Sequence, residues 1–480
     1  MKLPADSVDR ILSAFETVEL GDPRRSERLT HTLRKLAGSP EATIPEAMGS
    51  DAELEGAYRL LRNPRVTLEK LTLAHAEATA KRARAAGAVL VIHDTTTCEF
   101  AHAAAAEVGY LSTGKAGFMA HYSLAVTADE CRRPLGVADI STIFRSRPPK
   151  KRSGRKAKRR SGFETRKNPE RESLRWLRGF DSAAQRLGCN DVVHVADREG
   201  DSYDIFTGAI EKGHRFVIRA RVTGRRARLR DGTEGTIQTL AEACEGILTR
   251  EVTLSTRTER PEPASAKVHP PRATRKATLS FSAATVTLPK PRYMPSTTKS
   301  VTINMVRVYE DHPPKGQPAV EWILFTTEPI ATVADIAKIV DIYRARWLIE
   351  ECNKALKTGC KYEQRQLESR QSLLNLLAMT LPIACELLWL RSCARSTPDL
   401  PAGRVLAPVQ LQILRALSSY QLPRRPTVRD ALLAVAALGG HIRSNGDPGW
   451  LVLHRGLTKL LAYEQGWLAR ENAGGLSISR

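Results

Sequence analysis

The stretch from Tyr343 to Lys357 brings together residue types that could hold a metal ion and a polyanion. Read as a helix at about 100° per residue, it places four polar side chains in one stripe roughly 60° wide: Tyr343, Arg346, Glu350 and Lys357. Apolar residues fill the opposite side, so the helix can bury that side and present a carboxylate between cations. An exposed helix with an ion pair between Arg346 and Glu350 is the alternative interpretation.

Two further carboxylates end apolar runs that predict buried strands. AVLVIHD ends on Asp94, and DVVHVAD ends on Asp197. If both strand ends converge with Glu350, the three acids form a site for hard cations, because clustered carboxylates repel one another unless Mg²⁺ or Mn²⁺ neutralises them. Two such ions about 4 Å apart can activate water and stabilise the leaving oxygen of a phosphodiester. Taken singly, each aspartate could instead form a turn or cap a helix.

The elements around these acids predict an α/β fold. After the first strand, two more are expected at 121–129 and 134–144, close enough in sequence to form an antiparallel meander. One helix precedes the strand that ends on Asp197, another follows it, and RFVIRA at 215–220 predicts the next strand. This β-β-β-α-β-α-β order predicts a mixed sheet with helices packed against it.

The remaining pattern divides the chain into segments. Alternating strands between about 222 and 333 indicate an all-β insertion, and periodic leucines predict a helical C-terminal part. Five segments result: a helical N-terminal segment (1–66), the first part of the α/β core (67–221), the β insertion (222–333), the last part of the core with the Glu350 helix (334–370) and a helical C-terminal segment (371–480).

Composition indicates an anionic partner. The 480-residue chain has 74 Lys and Arg against 52 Asp and Glu, and the resulting charge of +22 favours nucleic acid as that partner. The eight cysteines form no CxxC pair, which predicts reduced thiols in a cytoplasmic protein. No apolar segment of a secretory signal is seen at the N-terminus. The most apolar stretch, 372–390, contains Asn375, Pro382 and Glu386, so we expect a buried helix and no membrane partner.

Basic residues outside the acidic motifs could contact DNA phosphates. In the N-terminal helices the candidates are Arg24, Arg25, Arg59 and Arg62. Residues 145–160 include ten basic residues and no acidic one, and their prolines and glycine prevent regular structure. We expect a cationic loop whose Lys151 and Arg152 contact the DNA backbone. A solvated surface is the alternative for both regions.

Several motifs resemble those of one enzyme family. DTT at 94–96, DREGD at 197–201 and Y-x2-R-x3-E-x6-K at 343–357 are similar to the three catalytic motifs of the bacterial cut-and-paste DDE transposases that carry a Tyr-Arg-Glu-Lys helix. LGDPRR at 20–25 and EGAYRLLRNP at 55–64 resemble the DNA-recognition domain of that family. EWILFTTEP resembles its insertion strand and the leucine-rich end its dimerising tail. Two features depart from the family: the very basic loop, and Gly200 where alanine is common.

The resemblance implies a ribonuclease H-like core with a β insertion. It implies that Asp94, Asp197 and Glu350 are the catalytic residues and bind two Mg²⁺ ions per active site, for which Mn²⁺ is expected to substitute.

The resemblance also assigns DNA contacts. Tyr343, Arg346 and Lys357 would hold phosphates near the end of a transposon. Trp322 would stack on an extruded base, for which a core tryptophan is the alternative. By helical geometry Trp347 lies about 40° from the polar stripe and is a second candidate for DNA contact.

The implied reaction is nicking at the element end, attack of the freed 3′-OH on the opposite strand to form a hairpin, hairpin opening and strand transfer into target DNA. The implied partners are double-stranded DNA, as terminal repeats and target, and a second copy of the chain in a synaptic homodimer. The expected location is the bacterial cytoplasm in association with the nucleoid. Two alternatives stay open: a DNA-binding regulator or inhibitor of transposition that no longer cuts, and a stand-alone Mg²⁺-dependent nuclease.

Overall fold

In the described part of the chain, the computed structural model contains an 11-stranded mixed sheet. In chain order its strands are β1 (Val89–Glu99), β2 (Gly117–Thr127), β3 (Pro134–Ile143), β4 (Val192–Ala196), β5 (Arg215–Arg219), β6 (Arg226–Leu229), β7 (Glu234–Thr236), β8 (Leu248–Leu254), β9 (Arg275–Pro289), β10 (Ser300–Tyr309) and β11 (Glu321–Thr326). They lie in the order β3-β2-β1-β4-β5-β11-β10-β9-β6-β7, and β8 pairs with β9 outside this path.

The structure describes most of the chain. The described residues are 5–146, 167–254 apart from 169 and 190, 271–442 apart from 293, 295 and 296, and 444–474 apart from 445. Lys151, Arg152 and most of the predicted basic loop lie outside these residues.

The first five strands match the predicted order. β1, β2 and β3 form the expected antiparallel meander, while β4 and β5 are parallel to β1. The residues from Val89 to Ile92 are at most 1% exposed, and burying each such side chain contributes about 1.5–3 kcal/mol. This apolar run therefore fixes β1 in the middle of the core.

The prediction that the first strand ends at Asp94 is wrong. β1 continues to Glu99 because β2 pairs with it throughout, from Val89 opposite Thr127 to Glu99 opposite Gly117. The parallel partner β4, in contrast, pairs only with Val89–Ile92. Asp94 thus lies inside a strand, just beyond the point where its parallel neighbour stops.

The structure does not confirm a separate all-β insertion. All four predicted strands between 222 and 333 are present as β8, β9, β10 and β11, but the segment also contains the helix Ile237–Ala243. Its strands also extend the sheet of the core, since β11 pairs with β5 in antiparallel fashion.

Helices cover both faces of the sheet. Among the described residues they are α1 (Ala5–Ser13), α2 (Pro23–Gly38), α3 (Ile44–Ala47), α4 (Asp51–Arg62), α5 (Leu68–Ala86), α6 (Ala105–Val108), α7 (Arg175–Leu187), α8 (Tyr203–Glu211), α9 (Ile237–Ala243), α10 (Val333–Arg344), α11 (Trp347–Lys354), α12 (Arg370–Ser396), α13 (Pro408–Leu417), α14 (Val428–Leu438) and α15 (Trp450–Gly474). Side chains alternate along each strand, so Leu90 and Ile92 join the core that contains α10, α11 and α12. Val89 and Val91 pack in a cluster with α5 and α7 on the other face.

The predicted helix from Tyr343 to Lys357 is interrupted. α10 ends at Arg344, α11 begins at Trp347, and Ala355–Gly359 forms a π-helical turn. Between α10 and α11 the backbone tightens, because Arg346 N donates to Tyr343 O at 3.0 Å instead of to the carbonyl four residues back. The stretch is therefore helical but is not one continuous α-helix.

The terminal helices pack against one another through α12. Its Asn375 Nδ2 donates to Leu61 O and Val66 O, at 2.9 and 2.7 Å, at the end of the N-terminal helices. The stretch Arg370–Ala394 is apolar and long enough to cross a membrane by length and composition, and 82% of its most apolar window is buried inside the protein. The expected buried helix is therefore present, with Pro382 inside it.

Candidate active site

Two of the predicted acids lie side by side on neighbouring strands. Val89 pairs with Val192 and Ile92 with Val195, and continuing this parallel register by two residues sets Asp94 beside Asp197. The register between β4 and β5, continued in the same way from Ala196 opposite Ile218, sets Asp197 beside Arg219. A row of acid, acid and cation thus crosses three strands at one end of the sheet.

Asp94 is a half-buried carboxylate with few compensating donors. Its Oδ1 accepts a hydrogen bond from Thr95 N at 2.8 Å, and its Oδ2 accepts one from Asn353 Nδ2 at 3.1 Å. Burial and the charge of Asp197 raise the pKa of Asp94 to about 6, and Glu350 adds to this shift while Arg346 opposes it. Asp197, Glu350 and Arg346 are therefore close enough to Asp94 to act on it electrostatically.

Glu350 reaches this place on α11, which hydrogen bonds hold against the sheet. Tyr122 on β2 donates its hydroxyl to Asn353 Oδ1 at 2.8 Å and lies 3.3 Å from Ile349 O. Asn353 therefore connects Tyr122 to Asp94 and ties the helix to β1 and β2. Glu350 itself accepts a hydrogen bond from Arg346 Nη2 at 2.5 Å, as the alternative interpretation of the sequence proposed.

The donor set suits a hard cation, although the three acids are not drawn together as ligands. Within the described part of the chain no group of three His, Cys, Asp or Glu side chains could hold a metal ion. Glu350 would have to exchange its ion pair with Arg346 for a place beside Asp94 and Asp197. Carboxylate oxygens are the ligands that Mg²⁺ and Mn²⁺ prefer, and the raised pKa of Asp94 indicates negative charge that a cation would neutralise. The residues therefore fit such an ion chemically.

A cluster of cations and aromatic rings adjoins the acids. Trp322 on β11 lies 5.8 Å from the ring of Tyr343 at an angle of 64°, and Arg219 Cζ lies 5.9 Å from the Trp322 ring. Arg346 Cζ lies 6.0 Å from the Tyr343 ring. Burial raises the pKa of Tyr343 against the effect of Arg346 and Arg219, so its hydroxyl stays protonated and can donate. Trp322 is half-buried, which leaves part of its ring accessible.

Lys357 and Trp347 lie apart from this cluster. Lys357 Nζ donates to Thr97 O on β1 and pairs with Glu363 at 3.2 Å. Trp347 is 51% exposed and has Lys354 Nζ 5.0 Å from its ring centre. Trp347 is thus on the surface, whereas the half-buried Lys357 is held three residues farther along β1 than Asp94.

The predicted N-terminal DNA contacts are surface residues with local partners. Arg25 Nη1 donates to Leu20 O at 2.7 Å, Arg59 pairs with the exposed Glu55, and Arg62 Cζ lies 5.9 Å from the ring of Tyr58. Arg24 is exposed near the beginning of α2, whose N-cap is Asp22. No contact found among the described residues joins these four arginines to the acids.

The sequence pattern missed two arginines that organise the site. Arg175 on α7 donates to Thr95 Oγ1 at 2.7 Å and also pairs with Glu199, so one guanidinium holds residues one and two positions after the two aspartates. Arg219 was missed as well, although the alternation in RFVIRA places it on the same face as Val217 and two residues beyond it.

Tyr122 and Asn353 were also missed. Asn353 follows Glu350 by three residues, so it lies on nearly the same side of a helix, and its spacing was a usable signal. No sequence signal separates Tyr122 from other buried residues of β2, because its role depends on the hydroxyl reaching α11.

Asp201 explains the end of the DREGD motif in structural terms. It is 8% exposed and accepts hydrogen bonds from Arg221 N at 2.6 Å, Val222 N at 2.9 Å and Arg225 Nη2 at 2.7 Å. Three donors satisfy this buried carboxylate, which therefore fixes the turn after β5.

The fold is a mixed α/β fold with acidic and cationic side chains together at one end of the sheet, and parts of the chain match two known families. Residues 170–384 match the family of the transposase DDE domain. Residues 11–66 match the family of the transposase DNA-binding domain. The first match contains Asp197 and Glu350 and begins after Asp94.

One solved structure similar to the chain is a cryo-EM structure of a piggyBac transposase synaptic complex with hairpin DNA. The two chains are 9% identical with a TM-score of 0.31, and the match covers 82% of this chain and 66% of the other. This chain thus spans slightly less than two thirds of that structure's length.

Proposed function

We propose that this protein is a metal-dependent DNA transposase that works by cut and paste. The observation that carries the proposal is the row formed by Asp94, Asp197 and Arg219 across three strands, with Glu350 close enough to raise the pKa of Asp94. The strand order β3-β2-β1-β4-β5 is consistent with a ribonuclease H-like core. The two family matches support the same class of protein.

In this proposal Asp94, Asp197 and Glu350 bind two Mg²⁺ ions, for which Mn²⁺ can substitute. Bound there, the ions supply Lewis acidity that activates the attacking hydroxyl and stabilises the leaving oxygen. Asn353 keeps Asp94 oriented through its 3.1 Å hydrogen bond. Arg346, now paired with Glu350, releases the carboxylate when a DNA phosphate offers the guanidinium a better partner.

The residues around the acids would hold the DNA end. Tyr343 can donate its hydroxyl to a phosphate oxygen, and Arg219 and Arg346 on either side of it can neutralise the phosphate charge. Trp322, half-buried beside them, would stack on a base extruded from the duplex. Lys357 would contact the strand farther along β1.

The proposed reaction has four in-line displacements at phosphorus. Water attacks first and frees a 3′-OH at the end of the element. That hydroxyl attacks the opposite strand and forms a hairpin, water opens the hairpin, and the 3′-OH then attacks target DNA. The N-terminal helices, with Arg24, Arg25, Arg59 and Arg62, would bind the terminal repeat, and a homodimer would pair two ends.

The test is incubation of the purified protein with Mg²⁺ and duplex DNA carrying the element ends. We expect nicked, hairpin and joined products on denaturing gels. Glu350→Gln should abolish all of them while leaving DNA affinity within about twofold, because it removes one ligand and little of the cationic surface. Asp341→Asn is the matched control, because Asp341 lies on the neighbouring helix α10 and is also a carboxylate paired with an arginine, Arg250 on β8, at 2.7 Å. Full cleavage by the Glu350 variant would refute the assignment of that residue.

A DNA-binding protein that does not cut is the second candidate. The Arg346–Glu350 ion pair favours it, because a carboxylate neutralised by arginine needs no metal ion. Such a protein would shift DNA in a gel without cleaving it in Mg²⁺ or Mn²⁺. Unspecific degradation of any DNA would instead indicate a stand-alone nuclease.

A further inference from the structure

The sheet face that carries the acids continues into a polar surface far from them. Arg228 on β6 pairs with Thr287 on β9, and Thr287 pairs with Thr302 on β10. The hydroxyls of Thr287 and Thr302 lie 3.0 Å apart, so the three side chains form one row across three strands. We call this row, together with Arg226 two residues before Arg228, the Arg-Thr row.

Pairing register relates the Arg-Thr row to the candidate active site. Leu324 on β11 pairs with both Arg219 and Val306. Thr302 precedes Val306 by four residues, and because side chains alternate with a period of two, both point to the same face. The Arg-Thr row therefore lies on the face that carries Arg219 and, through β4 and β1, the two aspartates.

The surface at the Arg-Thr row is concave. A cleft of about 740 Å³ opens there, lined among others by Arg226, Arg228, Thr236, Thr239, Thr287 and Ser300. One acid, the exposed Glu234 on β7, also lines it. Two guanidinium groups and several hydroxyls thus lie in the lining, and both kinds of group can donate hydrogen bonds to phosphate oxygens.

The two arginines of the cleft differ from neighbouring arginines in having no partner. Arg225, next in sequence, pairs with Asp201 at 2.7 Å, and Arg307 pairs with Glu321 at 2.7 Å. Arg226 and Arg228 are exposed, and across the described residues neither guanidinium makes a hydrogen bond or ion pair. Packing does not require two guanidinium groups in a cleft, whereas an anionic ligand would use both.

We propose that this cleft binds the phosphate backbone of the DNA duplex outside the segment held at the acids, an inference that rests on the proposed function for the identity of the polyanion. Residues two apart on one strand are separated by about 6.6 Å, close to the spacing of neighbouring phosphates, so Arg226 and Arg228 can each take one phosphate. Six strand intervals at ~4.8 Å separate β1 from β6, and the four-residue step from Val306 to Thr302 adds about 13 Å along the strands, which gives a direct distance of about 32 Å. At ~3.4 Å per base pair, DNA touching both places extends about nine or ten pairs.

The first test measures DNA affinity without cleavage. Binding of a labelled duplex of about 40 base pairs is followed by anisotropy for the full-length protein and for the double variant Arg226→Ala/Arg228→Ala. Two lost phosphate contacts should make the slope of log K against log salt shallower by about 1.8. Between 50 and 200 mM salt, the factor by which affinity falls should therefore be about twelve times smaller for the variant than for the original protein. Arg424→Ala/Arg425→Ala, an exposed pair in the C-terminal part, is the matched control.

The second test locates the contact. With element-end duplexes, trimming one flank to fewer than about nine base pairs should raise KM for the original protein, but not for the Arg226/Arg228 variant. The kcat at saturating DNA should stay unchanged in both. An unchanged salt slope, an equal change in the Arg424/Arg425 control, or equal sensitivity of both proteins to trimming would overturn the inference. Absence of cleavage by the original protein would count against the proposed function instead, because the salt slope needs no cleavage.

Discussion

Replacing Asp94 with asparagine should stabilise the folded protein while it abolishes cleavage. Burial and Asp197 raise the pKa of Asp94 from 3.8 to about 6. The unfolded chain loses this proton near pH 3.8 and the folded protein only near pH 6, so the folded state binds more protons in this window and its stability falls as pH rises. At 1.36 kcal/mol per pKa unit, the loss reaches about 3 kcal/mol above pH 7. Asparagine carries no such charge, so the Asp94→Asn variant should regain this lost stability.

Denaturant unfolding in the presence of EDTA measures this effect. The Asp94→Asn variant should gain about 3 kcal/mol in free energy of unfolding near pH 8, but only about 1 kcal/mol near pH 4.5, where most of the carboxyl is protonated in the folded protein. Asp341→Asn, at a carboxylate that pairs with Arg250 and Arg344, should show no comparable gain. Added Mg²⁺ should stabilise the original protein and not the Asp94 variant. A variant less stable at both pH values, or a gain independent of pH, would refute the reasoning.

Three other predictions concern residues around the site. Trp450→Phe should lower kcat about tenfold without changing DNA affinity, because it removes only the 2.7 Å hydrogen bond from Trp450 to Glu351 that holds α11; an unchanged kcat would contradict this. Trp322→Ala should not change the rate of the first nick. It should slow hairpin formation, followed on the gel, about 5- to 150-fold, because the loss of base stacking removes about 1–3 kcal/mol. His121→Gln should make the protein less sensitive to acid. Burial lowers the pKa of His121 to about 3, so below pH 6.5 the unfolded chain binds a proton that the folded protein does not, and stability falls. In denaturant unfolding, the difference in free energy of unfolding between pH 7.5 and pH 5 should be about 2 kcal/mol smaller for the variant.

The strands that carry the aspartates could be predicted because their apolar runs are long and unambiguous. DVVHVAD becomes β4, with Asp197 directly after it, and the strand order of the core follows from the alternation of element types. The end of β1 could not be predicted in the same way. Thr95, Thr96 and Thr97 stay in the strand because β2 pairs with them, and pairing partners are not encoded in the local sequence.

The grouping of polar side chains was harder to predict than the elements. Tyr343, Arg346 and Glu350 were found from helical spacing, and the interruption after Arg344 leaves the contact between Arg346 and Glu350 intact. Arg219, in contrast, acquires a role only because the register of two strand pairs sets it beside Asp197. Register depends on the whole sheet, so a single strand read alone indicates which face a residue occupies but not its neighbour.

The arrangement of α11 explains why residues so distant in sequence must form one unit. On its front, Asn353 donates to Asp94 on the sheet. On its back, the buried Glu351 accepts hydrogen bonds from Trp450 at 2.7 Å and Lys354 at 2.9 Å and pairs with Arg391. Glu350 lies between these two attachments, so its position depends both on β1 and on the C-terminal helices. A shift of α15 relative to α12 would therefore move Glu350 relative to the aspartates, so the C-terminal segment helps to position the candidate site and is not only a candidate dimer surface.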